Sequence, residues 1–160
     1  MREYLFCTLI LSLLLPASAQ TVPAGWKVVK DSKGACQIAV PQDWDLFSDG
    51  AGAAVLHDPA TAIAVVTSQP DQSFKPLSES QLRMLDIPKE RIFENTAKRV
   101  FYQDKTARNA GDTNGYSAMA PAKGGTCSLH LQSVPSVTED TAKKIVSSLG
   151  PAEEEKPPSR

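Results

Sequence analysis

Three cysteines and two histidines are the side chains of this 160-residue chain best suited to chemistry. A histidine acts as a general base in a hydrolase only when a serine and an oxyanion hole lie within reach. The chain contains neither a Gly-x-Ser-x-Gly elbow nor a Ser-x-x-Lys motif with its partner sequences. We therefore predict no catalytic residue and interpret His57 and His130 as solvent-facing side chains. A hydrolase-like enzyme that uses His57 or His130 is the alternative.

Metal and cofactor sites are also not predicted. Zinc sites need His, Cys or Asp ligands at short spacing, and no such cluster occurs in the sequence. Residues 112–115 resemble the start of a calcium loop but lack the remaining carboxylates, so we interpret them as a turn. No glycine-rich phosphate-binding loop is present. We expect neither a metal nor a cofactor.

An export signal is predicted for residues 1–19. A positive charge at Arg2 precedes an almost unbroken apolar run at residues 5–15, and Ala17 and Ala19 provide the small residues of a cleavage site. The run is too short for a bilayer, which takes about 20 apolar residues. We therefore expect a secreted or periplasmic protein with no transmembrane anchor after cleavage. Cleavage before Gln20 would also remove Cys7.

The remaining cysteines, Cys36 and Cys127, are predicted to form a disulfide. Each lies on the apolar face of a strand with alternating polarity, and exported proteins are permitted to form disulfides. A bridge that closes a loop of about 90 residues stabilises by roughly 4 to 5 kcal/mol in the chain-entropy model. The alternative is two separately buried thiols that act as small apolar side chains. A Cα separation above about 7 Å would exclude the bridge.

Charge and length limit the function classes further. The net charge of −1 argues against nucleic acid as a partner, because nucleic-acid binding needs a basic face. Residues 20–150 are long enough for a single domain with a hydrophobic core. Residues 151–160 contain no large apolar side chain and are predicted to be a disordered tail. Trp26 and Trp44 flank predicted strands, where core packing is the more common role than a ligand platform.

Seven segments have the composition of strands: residues 25–30, 35–40, 53–57, 62–67, 98–103, 115–120 and 126–134. In the last of these, Cys127, Leu129 and Leu131 alternate with polar residues, which predicts one core-facing side. Residues 62–66 are apolar at every position, which indicates cover on both faces. The segments on either side of residues 58–61 are predicted to form a hairpin.

Two helical regions complete the predicted elements. Ser78 and Gln81 match a capping box, followed by Leu82 and Leu85 on one helix face, and Pro88 is placed to begin a further turn carrying Ile92 and Phe93. The last helix is predicted to begin with a cap at Ser136. Its apolar stripe follows the i, i+3, i+4, i+7 spacing at Ala142, Ile145, Val146 and Leu149. The order of elements predicts an α+β fold, with a mainly antiparallel sheet of about six or seven strands and helices on its faces.

The chain resembles the PsbP-like family of α/β/α sandwich domains. Residues 34–44, Gly-Ala-Cys-Gln-Ile-Ala-Val-Pro-Gln-Asp-Trp, look like that family's glycine, strand, proline and tryptophan motif. The apolar strand at residues 62–67 and the helix at residues 142–149 are similar to later elements of the family. Plant members are extrinsic subunits of photosystem II, and related domains bind other proteins. The resemblance implies a binding or accessory module and assigns no functional residue.

We therefore expect an exported, non-enzymatic binding or accessory module. Its partner would be a protein or small ligand in the cell envelope or outside the cell. A structural envelope protein is a further alternative, beside the hydrolase-like enzyme.

Overall fold

A seven-stranded antiparallel sheet and a three-stranded antiparallel sheet, with a helix against the smaller one, form the described part of the protein. This computed structural model describes residues 22–47, 53–57, 62–104, 114–133 and 137–153. The predicted signal peptide, residues 1–19, lies outside these ranges. Among the residues within them, no helix is both long enough and apolar enough to cross a membrane.

The fold is α+β with mainly antiparallel strands, which confirms the predicted fold class. The strands are β1 (Trp26–Lys30), β2 (Cys36–Pro41), β3 (Asp45–Phe47), β4 (Ala53–His57), β5 (Ala62–Pro70), β6 (Ile92–Asn95), β7 (Val100–Asp104), β8 (Asn114–Ala122), β9 (Gly125–Ser133) and β10 (Gly150–Pro151). The helices are α1 (Glu79–Met84) and α2 (Glu139–Ser147), and a 3₁₀ turn covers Lys89–Arg91.

The large sheet has the strand order β3-β4-β5-β9-β8-β7-β6. Strands β4 and β5 pair as the predicted hairpin, with His57 opposite Ala62. Strands β5 and β9 approach closely at Gly125, where a Cβ atom would collide with the carbonyl oxygen of Gln69. Because Gly125 has no side chain, β9 can pair with β5 as far as this end of the two strands.

One face of the large sheet forms the hydrophobic core. In β9, Cys127, Leu129 and Leu131 are at most 2% exposed, whereas His130 lies on the opposite face and is exposed. This confirms the alternation predicted for the strand. The same core cluster contains six residues from β5, β7 and β8: Ala64, Val66, Phe101, Tyr116, Ala118 and Ala120.

Helix α2 packs onto this core through its predicted stripe. Ala142, Ile145 and Val146 are fully buried, and Leu149 is 1% exposed just beyond the helix end. The predicted cap at Ser136 is wrong, because the helix begins later and Thr138 caps it by accepting a hydrogen bond from Thr141 N at 3.2 Å. A threonine oxygen in this position satisfies one of the free N–H groups of the first turn.

The three-stranded sheet was not predicted. Its order is β1-β2-β10, and β10 pairs Gly150 with Gln37 and Pro151 with Cys36. Beyond the two residues of β10, Ser148 continues the contact, because Ala39 N donates a hydrogen bond to Ser148 Oγ at 2.7 Å. Strand β2 is therefore buried at every residue before Pro41, and not only on its core face.

A disulfide joins the two sheets. Cys36 in β2 and Cys127 in β9 have Sγ atoms 2.10 Å apart and Cα atoms 5.6 Å apart. The Cα separation lies within the limit that a disulfide requires. Neither cysteine is exposed to solvent. Of the two alternatives that the sequence left open, the structure contains the bridge.

The region after α1 differs from its prediction. The capping box is present, with Gln81 N donating to Ser78 Oγ and Ser78 N donating to Gln81 Oε1. The helical turn predicted after Pro88 ends after three residues, and Ile92 and Phe93 belong to strand β6. Phe93 packs against Phe101 of β7 with ring centroids 4.7 Å apart, and pairing with β7 holds the segment extended.

Two further boundaries also change. The apolar run at residues 62–66 predicts cover on both faces; of the three residues whose burial is described, Ala64 and Val66 are fully buried, and Val65 is half-buried on the other face of the strand. The tail was predicted to begin at residue 151, whereas Pro151 belongs to β10 and Ala152 N donates to Ala35 O at 2.9 Å. Residues 154–160 lie outside the described ranges.

Candidate functional site: a groove beside helix α2

An open groove of about 510 Å³ runs between α2 and the face of the three-stranded sheet that carries Trp26, Val28 and Ala39. We call it the α2 groove. Its volume falls within the range of about 300 to 1,000 Å³ that ligand sites occupy. A groove formed by a sheet face and a helix wall can hold a segment of another molecule without any rearrangement of the domain.

The floor of the α2 groove is apolar. Trp26 and Val28 of β1 lie on it beside Ala39 of β2, which stands directly opposite Val28 in the strand pairing. Val28 is 42% exposed, and Trp26 is half-buried. Apolar side chains left open on a sheet face are a sign of a binding surface when they lie together in a concave site.

The helix wall of the groove is polar and charged. Its side chains include Asp140, Lys143 and Lys144. The Lys143 ammonium lies 2.6 Å from Glu139 Oε1 and 4.7 Å from the centre of the Phe93 ring, and the hydrogen bond to Glu139 raises the pKa of Lys143. Lys144 is exposed on the same wall. The groove therefore combines an apolar floor with a charged rim, on which Lys144 is exposed and Lys143 is paired with Glu139.

Glu153 contacts one lining residue of the groove and one lysine next to it. Gln37 lies in the groove, and its Oε1 accepts a hydrogen bond from Glu153 N at 3.2 Å. Lys30 Nζ donates to Glu153 O, also at 3.2 Å. Because side chains at even positions of β1 share one face, Lys30 belongs to the same surface as Val28.

A second polar cluster lies on the opposite side of the molecule, on the face of the large sheet away from the core. Ser117 Oγ donates to Asp104 Oδ2 at 2.6 Å. His130 Nδ1 lies 3.3 Å from the same carboxylate oxygen and 3.2 Å from Ser117 Oγ. The hydrogen bond to Asp104 raises the pKa of His130, and partial burial opposes this shift. The three strands β7, β8 and β9 bring these residues together.

This cluster contains the groups of a hydrolase without the arrangement that a hydrolase needs. In a catalytic triad, serine and carboxylate bind opposite nitrogens of the histidine, so that the histidine takes the serine proton. Here Ser117 and Asp104 both approach Nδ1, and the Ser117 hydroxyl donates its hydrogen bond to Asp104. The cluster therefore supplies a titratable histidine and no route that would activate Ser117 as a nucleophile.

The other candidate residues from the sequence fall in separate places. Trp44 is 1% exposed in the core, as interpreted, and Trp26 packs half-buried against the core cluster while it also lines the α2 groove. The backbone of His57 ends β4, and its side chain lies outside the described part of the structure. In the described part of the chain, no three His, Cys, Asp or Glu side chains converge as a metal site requires.

The groove itself was not predicted from the sequence. The only signal for it was Trp26, which stands at a strand end in a segment with exposed charges. Val28 gave no signal, because an apolar residue in a short strand is normally assigned to the core. The groove depends on the placement of α2 beside β1 and β2, and that placement follows from the unpredicted pairing of β10.

No protein-family model and no curated protein matches this chain. Among solved structures, a crystal structure from Bacteroides thetaiotaomicron is similar, with a TM-score of 0.52 and 13% identity over 82% of this chain. This chain spans half the length of that protein. The solution structure of cyanobacterial PsbP from Synechocystis sp. PCC 6803 has a TM-score of 0.49 and 13% identity, over 86% of this chain and 98% of the other. At such identities the likeness concerns the fold alone.

Proposed function

We propose that this protein is an exported, non-enzymatic binding module that holds its partner in the α2 groove. The observation that carries the proposal is the exposed Val28 on the apolar floor of a groove of about 510 Å³. Contact between water and an apolar side chain in such a position is unfavourable, and burial of that side chain under a partner lowers the free energy. The rim charges would set the orientation of that partner.

Two further features support a module of this kind. The fully buried disulfide belongs to the class that persists in oxidising compartments, which favours the secreted or periplasmic location predicted from residues 1–19. The sequence resemblance to PsbP-like domains favours a binding or accessory role for the family as a whole. The arrangement of Ser117, Asp104 and His130 does not support the form of the hydrolase-like alternative that uses His130.

The proposal is tested by substitutions that change one exposed apolar side chain at a time. We expect Val28→Asp to abolish retention of the partner from periplasmic and culture-medium fractions, because it places a charge on the apolar floor. Leu85→Asp is the matched control, since Leu85 is 49% exposed at the end of α1 and lies outside the groove. A photoreactive side chain at position 28 would show direct contact by forming an adduct.

The retained partner must be lost from the Val28 variant and kept by the Leu85 variant. Equal retention by both variants, or adducts that form only from a position outside the groove, would contradict the proposal. Thermal unfolding of each variant checks that the substituted protein is folded.

A further inference from the structure

We propose, on the basis of the function proposed above, that the partner binds as an extended polypeptide segment that pairs with the free edge of β1. The segment would carry apolar side chains toward the α2 groove and acidic side chains toward its lysine rim. Addition of a strand to an exposed sheet edge is a general mode of peptide recognition, in which backbone hydrogen bonds give affinity and side-chain pockets give specificity.

The edge of β1 is open in the described part of the chain, where β1 pairs with β2 alone. Two hydrogen bonds flanking the strand show which residues face β2: Asp31 N donates to Cys36 O and Gln42 N donates to Gly25 O, both at 2.9 Å. Antiparallel pairing alternates along a strand. Odd-numbered residues of β1 therefore point their backbone groups at β2, and Val28 and Lys30 point theirs at the free edge.

The pairing stretch has a defined beginning. Trp26 N already donates to Pro23 O at 3.1 Å, so the chain before β1 occupies the Trp26 end of the edge. Val28 and Lys30 are the residues that remain to donate and accept. A partner strand here would be short, and most of its affinity would come from the side chains that enter the groove.

Side chains of the added strand would meet the groove floor directly. Residues opposite each other on neighbouring strands place their side chains on the same face. A residue paired with Val28 would therefore lie beside Val28 and Trp26 on the groove face. Apolar residues at alternate positions of the partner segment fit this surface.

Charge complementarity makes the other side chains acidic. Lys30 lies on the groove face and its ammonium donates to a neutral carbonyl, so its charge is not cancelled by that contact. Lys144 adds a second exposed charge on the helix wall, where Asp140 is the acidic residue among those lining the groove. Because Lys143 is already paired with Glu139, Lys30 and Lys144 are the lysines that an acidic segment would meet.

The probes are three short, fluorescently labelled peptides in which valine alternates with glutamate, glutamine or lysine. We expect the glutamate peptide to bind about tenfold more tightly than the glutamine peptide at low salt, and this preference to shrink as salt rises. Lys144→Glu and Lys30→Glu should each reverse the preference. Lys98→Glu is the control, because Lys98 is exposed but lies outside the groove.

Methylated peptides test the backbone pairing without altering the protein. Methylation of the backbone nitrogens that face β1 should weaken the glutamate peptide about tenfold or more, since each methyl group removes a donor and adds bulk at the edge. Methylation of the opposite set of nitrogens should have little effect. In the protein, Val28→Pro tests the same pairing, because it removes an N–H that β2 does not use. Val28→Thr is its control, because it keeps both the N–H donor and the shape of the side chain.

Equal binding of the three peptides, or an equal effect of both methylation patterns, would overturn this inference. If Val28→Asp still abolished partner retention in that case, the groove would remain the binding site and only the strand-addition mode would fail. A concentration-dependent dimer that Val28→Pro dissolves would identify a second copy of the chain as the occupant and would also overturn the inference.

Discussion

The Ser117 hydroxyl donates a hydrogen bond to Asp104, the same carboxylate that lies beside His130 on the outer face of the large sheet. The histidine keeps the carboxylate as a partner at 3.3 Å, so its protonated form is stabilised. A residue with this partner responds to pH near neutrality. The cluster therefore favours the protonated form of a half-exposed histidine.

We expect Asp104→Asn to lower the pKa of His130. In the folded wild type, the hydrogen bond to Asp104 raises the pKa of His130 above the ordinary value of about 6.5. The resulting stability is fully present below the pKa of the unfolded chain and is lost as the pH rises through the raised folded-state pKa. NMR titration of the imidazole measures the pKa, and urea unfolding below and above that value measures the stability.

The effect on stability should be small, because the His130 side chain is half exposed and water screens the ion pair. His130→Gln serves as the control, since it removes the titrating group. It should abolish the part of the pH dependence of stability by which the wild type and the Asp104 variant differ. A His130 pKa at or below the ordinary value in the wild type would contradict the prediction.

At the scale of elements, Ser148 connects the end of α2 to the edge of β2. Its Oγ accepts a hydrogen bond from Ala39 N at 2.7 Å and donates to Ile145 O at 2.6 Å. Ser148 and Ala39 are both at least nine-tenths buried. A single side chain thus replaces the strand that would otherwise pair with this part of β2.

We expect Ser148→Ala to lower the free energy of unfolding by about 1 to 3 kcal/mol. The substitution leaves the buried N–H of Ala39 without its acceptor, and an unsatisfied buried donor costs this amount. Urea unfolding at neutral pH measures the change. Ser73→Ala is the control at an exposed serine and should change stability by no more than about 0.5 kcal/mol. A Ser148 variant as stable as that control would contradict the prediction.

The elements that the sequence predicts are those whose pattern reports burial directly. The alternation at Cys127, Leu129 and Leu131 and the stripe of α2 each contain enough apolar residues to define a face. Strand β10 has only two residues, and Gly150-Pro151 has the composition of a helix stop. Its strand character comes from pairing with Gln37 and Cys36, which local sequence cannot report.

At the scale of the whole molecule, the Cys36–Cys127 disulfide holds the small sheet against the large one. We expect reduction of the purified protein to lower the free energy of unfolding by about 2 to 5 kcal/mol, because the unfolded chain regains the freedom that the bridge removes. Urea unfolding with and without a phosphine reductant measures this difference. Reduction leaves both side chains in place, which substitution would not.

Thiol counting provides the control for that experiment. The denatured but unreduced domain should expose no free thiol from Cys36 or Cys127, and the denatured, reduced domain should expose both. Two reactive thiols in the unreduced sample would contradict the bridge. An unchanged unfolding free energy after complete reduction would contradict its stabilising role.

The α2 groove belongs to this whole-molecule scale, and for that reason the sequence did not predict it. Its floor comes from β1 and β2, and its wall comes from a helix more than a hundred positions later in the chain, as the separation of 109 between Ala39 and Ser148 illustrates. The sequence alone indicated only Trp26, for which a ligand platform was the alternative to core packing. A site assembled from distant segments has no local pattern for its residues to follow.

The same long-range closure has a consequence for the time course of folding. The three-stranded sheet is complete only when residues 150–151 reach β2, so β1 and β2 must wait for nearly the whole domain to be synthesised before their sheet is closed. Contacts of such large sequence separation form slowly, because the loop between them must be closed first. Until that moment β2 presents an unpaired edge, and a chaperone bound there would guard the chain against aggregation.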